Sequence, residues 1–95
     1  MSAAITVTRA RDGEEPIAFD VCVKDAKSET RHRVTLSQAD FARLSRGATA
    51  DELLEAAFRF LLDREPKESI LPRFDVSVIS RYFPEFEERL QDYLE

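Results

Sequence analysis

The sequence is poor in the residues that build common reactive sites: among its 95 residues are one cysteine, one histidine and two glycines. The lone cysteine, Cys22, excludes an intramolecular disulfide. Cys22 and His32 together fall short of the four or so Cys and His ligands of a structural zinc site. Two glycines are also too few for a phosphate-cradling loop. The composition therefore predicts neither a metal site nor a cofactor.

Long apolar runs are missing as well. No stretch approaches the ~20 apolar residues that span a bilayer, and the start, MSAAITVTRA, lacks the pattern of a secretory signal peptide. We therefore expect a cytoplasmic protein with no membrane partner. An apolar share of 43%, including seven phenylalanines, is enough for one core. At this length we expect a single domain over residues 1–95.

The net charge of −5 is unevenly placed along the chain. Residues 65–95 contain four basic and eight acidic side chains, whereas the preceding part is nearly balanced. An acidic field repels phosphate, so nucleic acid is an unfavourable partner for this last third. Arg31, His32 and Arg33 form the one candidate basic cluster.

The first third has the period-two alternation of β-strands. Apolar positions alternate with polar or small ones in three runs, at Ile5 and Val7, at Ile17, Phe19, Val21 and Val23, and at Val34 and Leu36. Polar turns are expected at residues 11–14 and 25–30. Because the connections are short, residues 1–36 predict a three-stranded antiparallel meander.

The strongest helix signal lies between Thr49 and Pro66. Thr49 with Glu52 three residues later is a capping box, and Pro66 is a stop signal. Between them lies an apolar body typical of a buried helix: Leu53, Leu54, Ala56, Ala57, Phe58, Phe60, Leu61 and Leu62. We expect this helix to be the element on which the others pack.

Weaker signals predict further helices in residues 37–95. Ser37 opens a short helix that Gly47 ends, Asp75 opens another, and Pro84 fits the first turn of the last. The predicted fold is α+β: a three-stranded antiparallel meander followed by three or four helices packed on one face.

The last helix carries an apolar stripe formed by Phe86, Leu90, Tyr93 and Leu94. Such a stripe either docks on the protein's own core or presents spaced anchors to a partner. A homodimer in which this helix packs against its symmetry mate satisfies both alternatives. These four residues are the candidate partner-binding site.

Arg31 and Arg33 form a second candidate surface, directed at an anionic partner from the exposed face of the third strand. That face lacks the aromatic side chains on which single-stranded nucleic acid stacks. The alternative is that these charges guard an edge strand against pairing with another chain.

For nucleophilic catalysis, Cys22 is the candidate nucleophile and His32 is the candidate base. The alternation places them on opposite faces of the predicted sheet, so a catalytic pair requires a register irregularity. The alternative is a semi-buried thiol and a strand-edge histidine.

Two segments resemble known families. The segment FRFLLDREPKESILPRFDVSVISRYFPEFEERL, Phe58–Leu90, resembles small bacterial proteins of a family with no assigned activity, which implies a bacterial cytoplasmic origin. The segment Gly47–Leu54, followed by Ala57, is similar to the segment after the sheet in HicB-type antitoxins. Those antitoxins bind a small toxin through a comparable β-rich domain. This chain differs in its inserted Ser37–Arg46 helix and in lacking an evident DNA-binding tail.

Three function classes follow from these patterns. A non-catalytic protein–protein interaction or regulatory module is favoured, with a protein partner or a homodimer. The second class is an antitoxin-like or nucleic-acid-associated regulator that uses Arg31 and Arg33. The third is an enzyme that uses Cys22 and His32.

Overall fold

The predicted alternation becomes a sheet in the computed structural model, which describes residues 3–11 and 15–94. Within these ranges lie four strands: β1 (Ala4–Arg11), β2 (Ile17–Lys24), β3 (Glu29–Leu36) and β4 (Arg73–Asp75). The helices are α1 (Gln38–Ser45), α2 (Ala50–Leu62), α3 (Ile79–Tyr82) and α4 (Phe86–Leu94). Two 3₁₀ turns complete the described part, Lys67–Ser69 and Val76–Val78. Of the turn expected at residues 11–14, positions 12–14 lie outside the described residues.

The sheet has the order β1-β2-β3-β4. The first three strands form the predicted antiparallel meander, but β4 lies parallel to β3, with Arg33 opposite Arg73. The prediction of a purely antiparallel three-stranded sheet is therefore wrong in this detail. Three residues are too short to show an alternation, and their pairing depends on a distant strand. Because β4 pairs with Arg33–Thr35, this part of β3 is internal, whereas the strand's first four residues, 29–32, lie before the pairing.

The helix starts follow the sequence signals closely. The Thr49 hydroxyl accepts the Glu52 N–H at 3.1 Å, and the Glu52 carboxylate accepts the Thr49 N–H at 2.9 Å, which confirms the capping box. Ser37 caps α1 by accepting the Asp40 N–H at 3.1 Å. After α1 the chain turns through Gly47 at φ +94°, a left-handed conformation that glycine adopts without a steric penalty.

The last third differs more from the expectation. Asp75 precedes a helical segment as predicted, but its side chain makes no capping hydrogen bond and it ends β4 instead. Pro84 lies two residues before α4. None of the helices in the described ranges has the length and hydropathy needed to cross a membrane.

The core lies between the helices and one face of the sheet. Phe19, Val21 and Val23 of β2 are fully buried there, while Asp20 and Lys24 between and after them are exposed. The helices contribute most of the remaining buried side chains, among them Leu53, Leu54, Phe58, Phe60, Phe86 and Leu90. The other face of the sheet is left without a helical layer by the described residues.

Candidate functional site

An apolar groove lies between the end of α2, the Lys67–Ser69 turn, β4 and α3; we call it the α2–α3 groove. It encloses about 240 Å³. Its lining comprises Leu61, Glu65, Ser69, Ile70, Leu71, Phe74, Val78, Ile79, Tyr82 and Phe83. Eight of these ten residues are apolar or aromatic, so the groove suits apolar groups of a ligand or a partner.

Two residues of the groove are unusually exposed for their type. Leu71 is 44% exposed and Tyr82 is 67% exposed, and within the described chain these are the large apolar side chains on the surface. Both line the same groove. Single exposed apolar residues are ordinary, but two of them beside an apolar groove form a patch.

Hydrogen bonds to β3 hold the groove margin in place. The Leu71 carbonyl accepts a hydrogen bond from Nδ1 of His32 at 2.8 Å. One residue further on, the Pro72 carbonyl accepts the Arg33 N–H at 2.8 Å. These two hydrogen bonds fix the backbone at Leu71 and Pro72 against β3.

The predicted stripe on α4 is divided between core and rim. Phe86 and Leu90 are fully buried, and the Phe86 ring packs edge-on against Phe60 with centroids 5.1 Å apart. Tyr93 and Leu94 are only half-buried, and the Tyr93 hydroxyl donates to the Asp63 carboxylate. The stripe therefore docks on the protein's own core. A partner can reach Tyr93 and Leu94, but not Phe86 and Leu90, which corrects their assignment as contact residues.

Arg31 and Arg33 lie on the uncovered surface of the sheet, which we call the open sheet face. It is lined by Thr6, Thr8, Asp20, Cys22, Arg31, Arg33 and Arg73. The Arg33 Nε donates to Asp20 at 2.6 Å, and the Arg31 Nε donates to Glu29 at 2.9 Å. β4 pairs with β3 at Arg33–Thr35, so Arg33 does not lie on an edge strand and the interpretation of it as a guard of an edge strand is wrong. Arg31 lies before the paired residues, and for Arg31 the interpretation stays a prediction.

The open sheet face gains a third arginine that the sequence did not reveal. Arg73 lies beside Arg33 in the parallel β3–β4 pairing. Forty residues separate Arg73 from Arg33 along the chain, and a three-residue strand gives no local signal of where it pairs. Within the described residues, no ion pair of Arg73 is found.

Cys22 and His32 lie on opposite faces, as the alternation predicts. Cys22 is opposite Arg31, whereas His32 is opposite Val21 and points into the core. Burial raises the pKa of the Cys22 thiol, and a hydrogen bond with Glu29 raises it further. A thiol with a raised pKa carries less of the reactive thiolate at neutral pH. The geometry therefore gives His32 no access to Cys22 as a base.

His32 is a buried structural residue, and the expectation of a strand-edge histidine is wrong. Its ring packs against Phe58 with centroids 5.3 Å apart. Since the Leu71 carbonyl can only accept, Nδ1 carries the proton, and Nε2 lies 2.9 Å from the Thr30 hydroxyl. The imidazole thus ties β3 to the segment before β4.

A buried lysine ties two distant turns together. Lys67 donates to Asp25 at 2.8 Å and to Glu68 at 2.6 Å. The hydrogen bond with Lys67 and the N–H groups of Ser28 and Lys27 hold the pKa of the Asp25 carboxyl well below its ordinary value. The pKa of Lys67 is raised, first by Asp25 and then by Glu68. Each ionised group thus has an oppositely charged partner within hydrogen-bond distance, so we assign the cluster to stability.

Metal ligands do not converge in the described ranges. No group of three or more His, Cys, Asp or Glu side chains within residues 3–11 and 15–94 is placed to hold a metal ion. The acidic residues of α4 are partly engaged elsewhere, since Glu87 pairs with Arg43 of α1. The arrangement that remains for function is a groove and an open sheet face.

Comparison with known proteins leaves the function to be argued from this geometry. The likenesses of Phe58–Leu90 to a bacterial family and of Gly47–Leu54 to HicB-type antitoxins stay predictions. No family model, no curated protein and no solved structure matches the chain.

Proposed function

We propose that this protein is a cytoplasmic, non-catalytic interaction module of bacterial origin that binds a protein partner through the α2–α3 groove. One observation carries the proposal: Leu71 and Tyr82, the exposed large apolar side chains of the described chain, line the same groove. An apolar patch of this kind is typical of protein docking sites.

The neighbouring part of α4 extends this surface. Tyr93 packs edge-on against Phe60 at 5.9 Å, and Phe60 packs against the groove residue Phe83 at 5.8 Å. The half-buried Tyr93, which lies next to Leu94 in α4, is therefore connected to the groove through Phe60.

The polar composition of the groove indicates the chemistry of the partner. Glu65 and Ser69 are its polar lining residues, and the net charge of the chain is −5. Apolar anchors of an amphipathic segment fit the floor, and basic residues beside those anchors complement Glu65 and the acidic surface. We therefore propose a basic, amphipathic segment as the bound element.

The test is capture of a partner from nuclease-treated lysate of the source cell by tagged protein. Leu71→Asp and Tyr82→Asp place a charge in the groove, and we expect each to abolish capture because the carboxylate must be desolvated. Ser77→Asp is the matched control: it adds the same charge at an exposed position outside the lining. Circular dichroism checks that all variants fold. A partner that both groove variants retain contradicts the proposal.

A second candidate function rests on the open sheet face. Arg31, Arg33 and Arg73 lie together there, which favours a regulator that binds an anionic partner, including nucleic acid. The described residues of that face include no aromatic side chain for base stacking. Salt-sensitive binding of a single-stranded oligonucleotide, lost in the double variant Arg31→Glu with Arg33→Glu, supports this function. Unchanged binding in the double variant removes it.

A further inference from the structure

The two edges of the sheet differ in length. At one edge β1 runs for eight residues, Ala4–Arg11. At the other edge β4 has three, Arg73–Asp75, and covers β3 only at Arg33–Thr35, so the start of β3 with its charged Glu29 and Arg31 also belongs to that edge. The described residues place no strand on the outer side of β1. In an antiparallel pair every second residue directs its N–H and C=O away from the neighbouring strand. A run of backbone donors and acceptors along β1 is therefore open to another strand.

The two edges also differ in their protection. Natural edges are guarded by shortness, by proline, by charged side chains or by bulges. The β4 edge is short, follows Pro72 directly and contains Arg73 and Asp75. By contrast, the first five residues of β1, AITVT, contain no charge and no proline, and the irregularity of its pairing lies beyond them, between Arg9 and Arg11. The sequence of this edge favours strand pairing.

We propose that two copies of the chain associate by antiparallel pairing of their β1 strands, with the two-fold axis at Thr6. In that register Ile5 lies opposite the partner's Val7, and Thr6 lies opposite the partner's Thr6. Residues opposite each other in an antiparallel pair point to the same face. The half-buried Ile5 and Val7 then meet on the helix-covered side, and the threonines meet on the open sheet face.

The occupant is a second copy because β1 is complementary to itself. A two-fold contact requires that if Ile5 meets Val7, then Val7 meets Ile5, and this register satisfies that condition. The chain as a whole is acidic, so two copies repel each other over much of their surface. The uncharged AITVT segment is a place where they approach without repulsion. The result is a continuous sheet with both α2 helices on the same side.

The dimer is expected to depend on concentration. Stable complexes bury about 1,200–2,000 Å², and a contact made by one short strand pair is small beside that. Sedimentation velocity over a concentration series measures the association constant directly. Amide hydrogen exchange of residues 4–8 should slow as the fraction of dimer increases with protein concentration.

Opposite charges at Thr6 make the register testable. Thr6→Lys and Thr6→Glu each bring like charges together at the axis, so we expect each variant alone to associate roughly tenfold or more weakly. An equimolar mixture of the two should restore association, because lysine then faces glutamate. Thr35→Lys, on the internal part of β3, is the control and should dimerise as the wild type does.

Several results would overturn this proposal. They are a wild type that stays monomeric throughout the series, Thr6 variants that dimerise normally, and a mixture that shows no rescue. Amide hydrogen exchange of residues 4–8 that does not depend on protein concentration would also overturn the proposal. This measurement uses the wild type alone, so it does not depend on whether a variant folds. If β1 instead pairs with a strand from a peptide partner, the wild type stays monomeric throughout the series. Leu71→Asp should leave the dimer unchanged, so failure here and failure of the groove proposal are distinguishable.

Discussion

The two faces of the sheet differ in what covers them: one packs against the helices, and the other is exposed. Along β2, Phe19, Val21 and Val23 point to the helices and are fully buried, while Asp20 and Lys24 point the other way and are exposed. The same eight-residue strand thus supplies both surfaces. The covered face therefore holds the fold, whereas the open sheet face is free to carry charged side chains.

The energies of the two faces differ in kind. Burying a side chain such as Phe19 contributes about 1.5–3 kcal/mol. The ion pair between Arg33 and Asp20 joins two side chains that are about half exposed, and such pairs contribute ~0–1 kcal/mol. Substitutions on the covered face should therefore lower the free energy of unfolding more than substitutions on the open sheet face.

The largest expected effect comes from neighbouring residues of β2. Phe19→Ala should lower the free energy of unfolding by about 3–5 kcal/mol, because it removes a fully buried ring and leaves a cavity. Asp20→Ala, one position away on the open sheet face, should lower it by about 0–1 kcal/mol. Urea denaturation measures both. Similar losses for the two variants would contradict the division between the faces.

The next effect tests the buried polar contact under the sheet. His32→Leu keeps much of the ring volume but leaves the Leu71 carbonyl and the Thr30 hydroxyl without their partner, so we expect a loss of about 1–3 kcal/mol. The control is Arg31→Leu, the preceding residue on the opposite face, which should lower the free energy of unfolding less than His32→Leu because the Arg31 side chain is 84% exposed.

The variants His32→Leu and Arg31→Leu also test how the margin of the groove is held in place. Because His32 fixes the Leu71 carbonyl, His32→Leu should increase amide hydrogen exchange at residues 70–73, and Arg31→Leu should not. If His32→Leu costs no more than Arg31→Leu, the imidazole is not the tie between β3 and β4 that its geometry indicates.

Features set by neighbouring residues were predictable from the sequence. The alternation of Phe19, Val21 and Val23 fixed the covered face, and the capping box at Thr49 fixed the start of α2, since both signals act within a few residues. The separation of Cys22 from His32 followed from the same alternation, because a residue's side of a strand depends only on its parity.

Features that join distant segments were not predictable. The β3–β4 pairing, which makes Arg33–Thr35 of β3 internal and adds Arg73 to the open sheet face, links residues about forty positions apart. The hydrogen bond from His32 to Leu71 spans 39 positions. The α2–α3 groove depends on both contacts, so single residues such as Tyr82 gave no sign of it. Hydrophobic stripes also do not say whether they face a partner or the core, as Phe86 shows.

A smaller effect is expected where the turn before β3 is tied to the Lys67–Ser69 turn. The pKa of Asp25 is depressed in the folded state, so its contribution is present above the unfolded pKa of about 3.9 and is lost as pH falls. Asp25→Asn should therefore lower stability at neutral pH, by less than His32→Leu because the carboxylate is 37% exposed.

The pH dependence of this difference is the measurement. Urea midpoints of the wild type and Asp25→Asn should differ most near neutral pH and converge as the pH falls below about 4. Ser28→Ala is a control, because it removes only the hydroxyl contact with Glu68, while the backbone N–H of residue 28 still donates to Asp25. A gap that stays constant in acid would assign the effect to packing instead of charge.

The smallest expected effect concerns Cys22 on the open sheet face. Cys22→Ser should change the free energy of unfolding by less than about 0.5 kcal/mol, the usual range for surface substitutions, because the thiol is only half-buried and far from the helices. Burial and the hydrogen bond with Glu29 raise the thiol pKa, so alkylation by iodoacetamide at neutral pH should be slower than that of a free cysteine. His32→Leu should leave that rate unchanged, since His32 lies on the covered face. Fast alkylation that depends on His32 would instead restore the enzyme hypothesis and break the separation of the two faces.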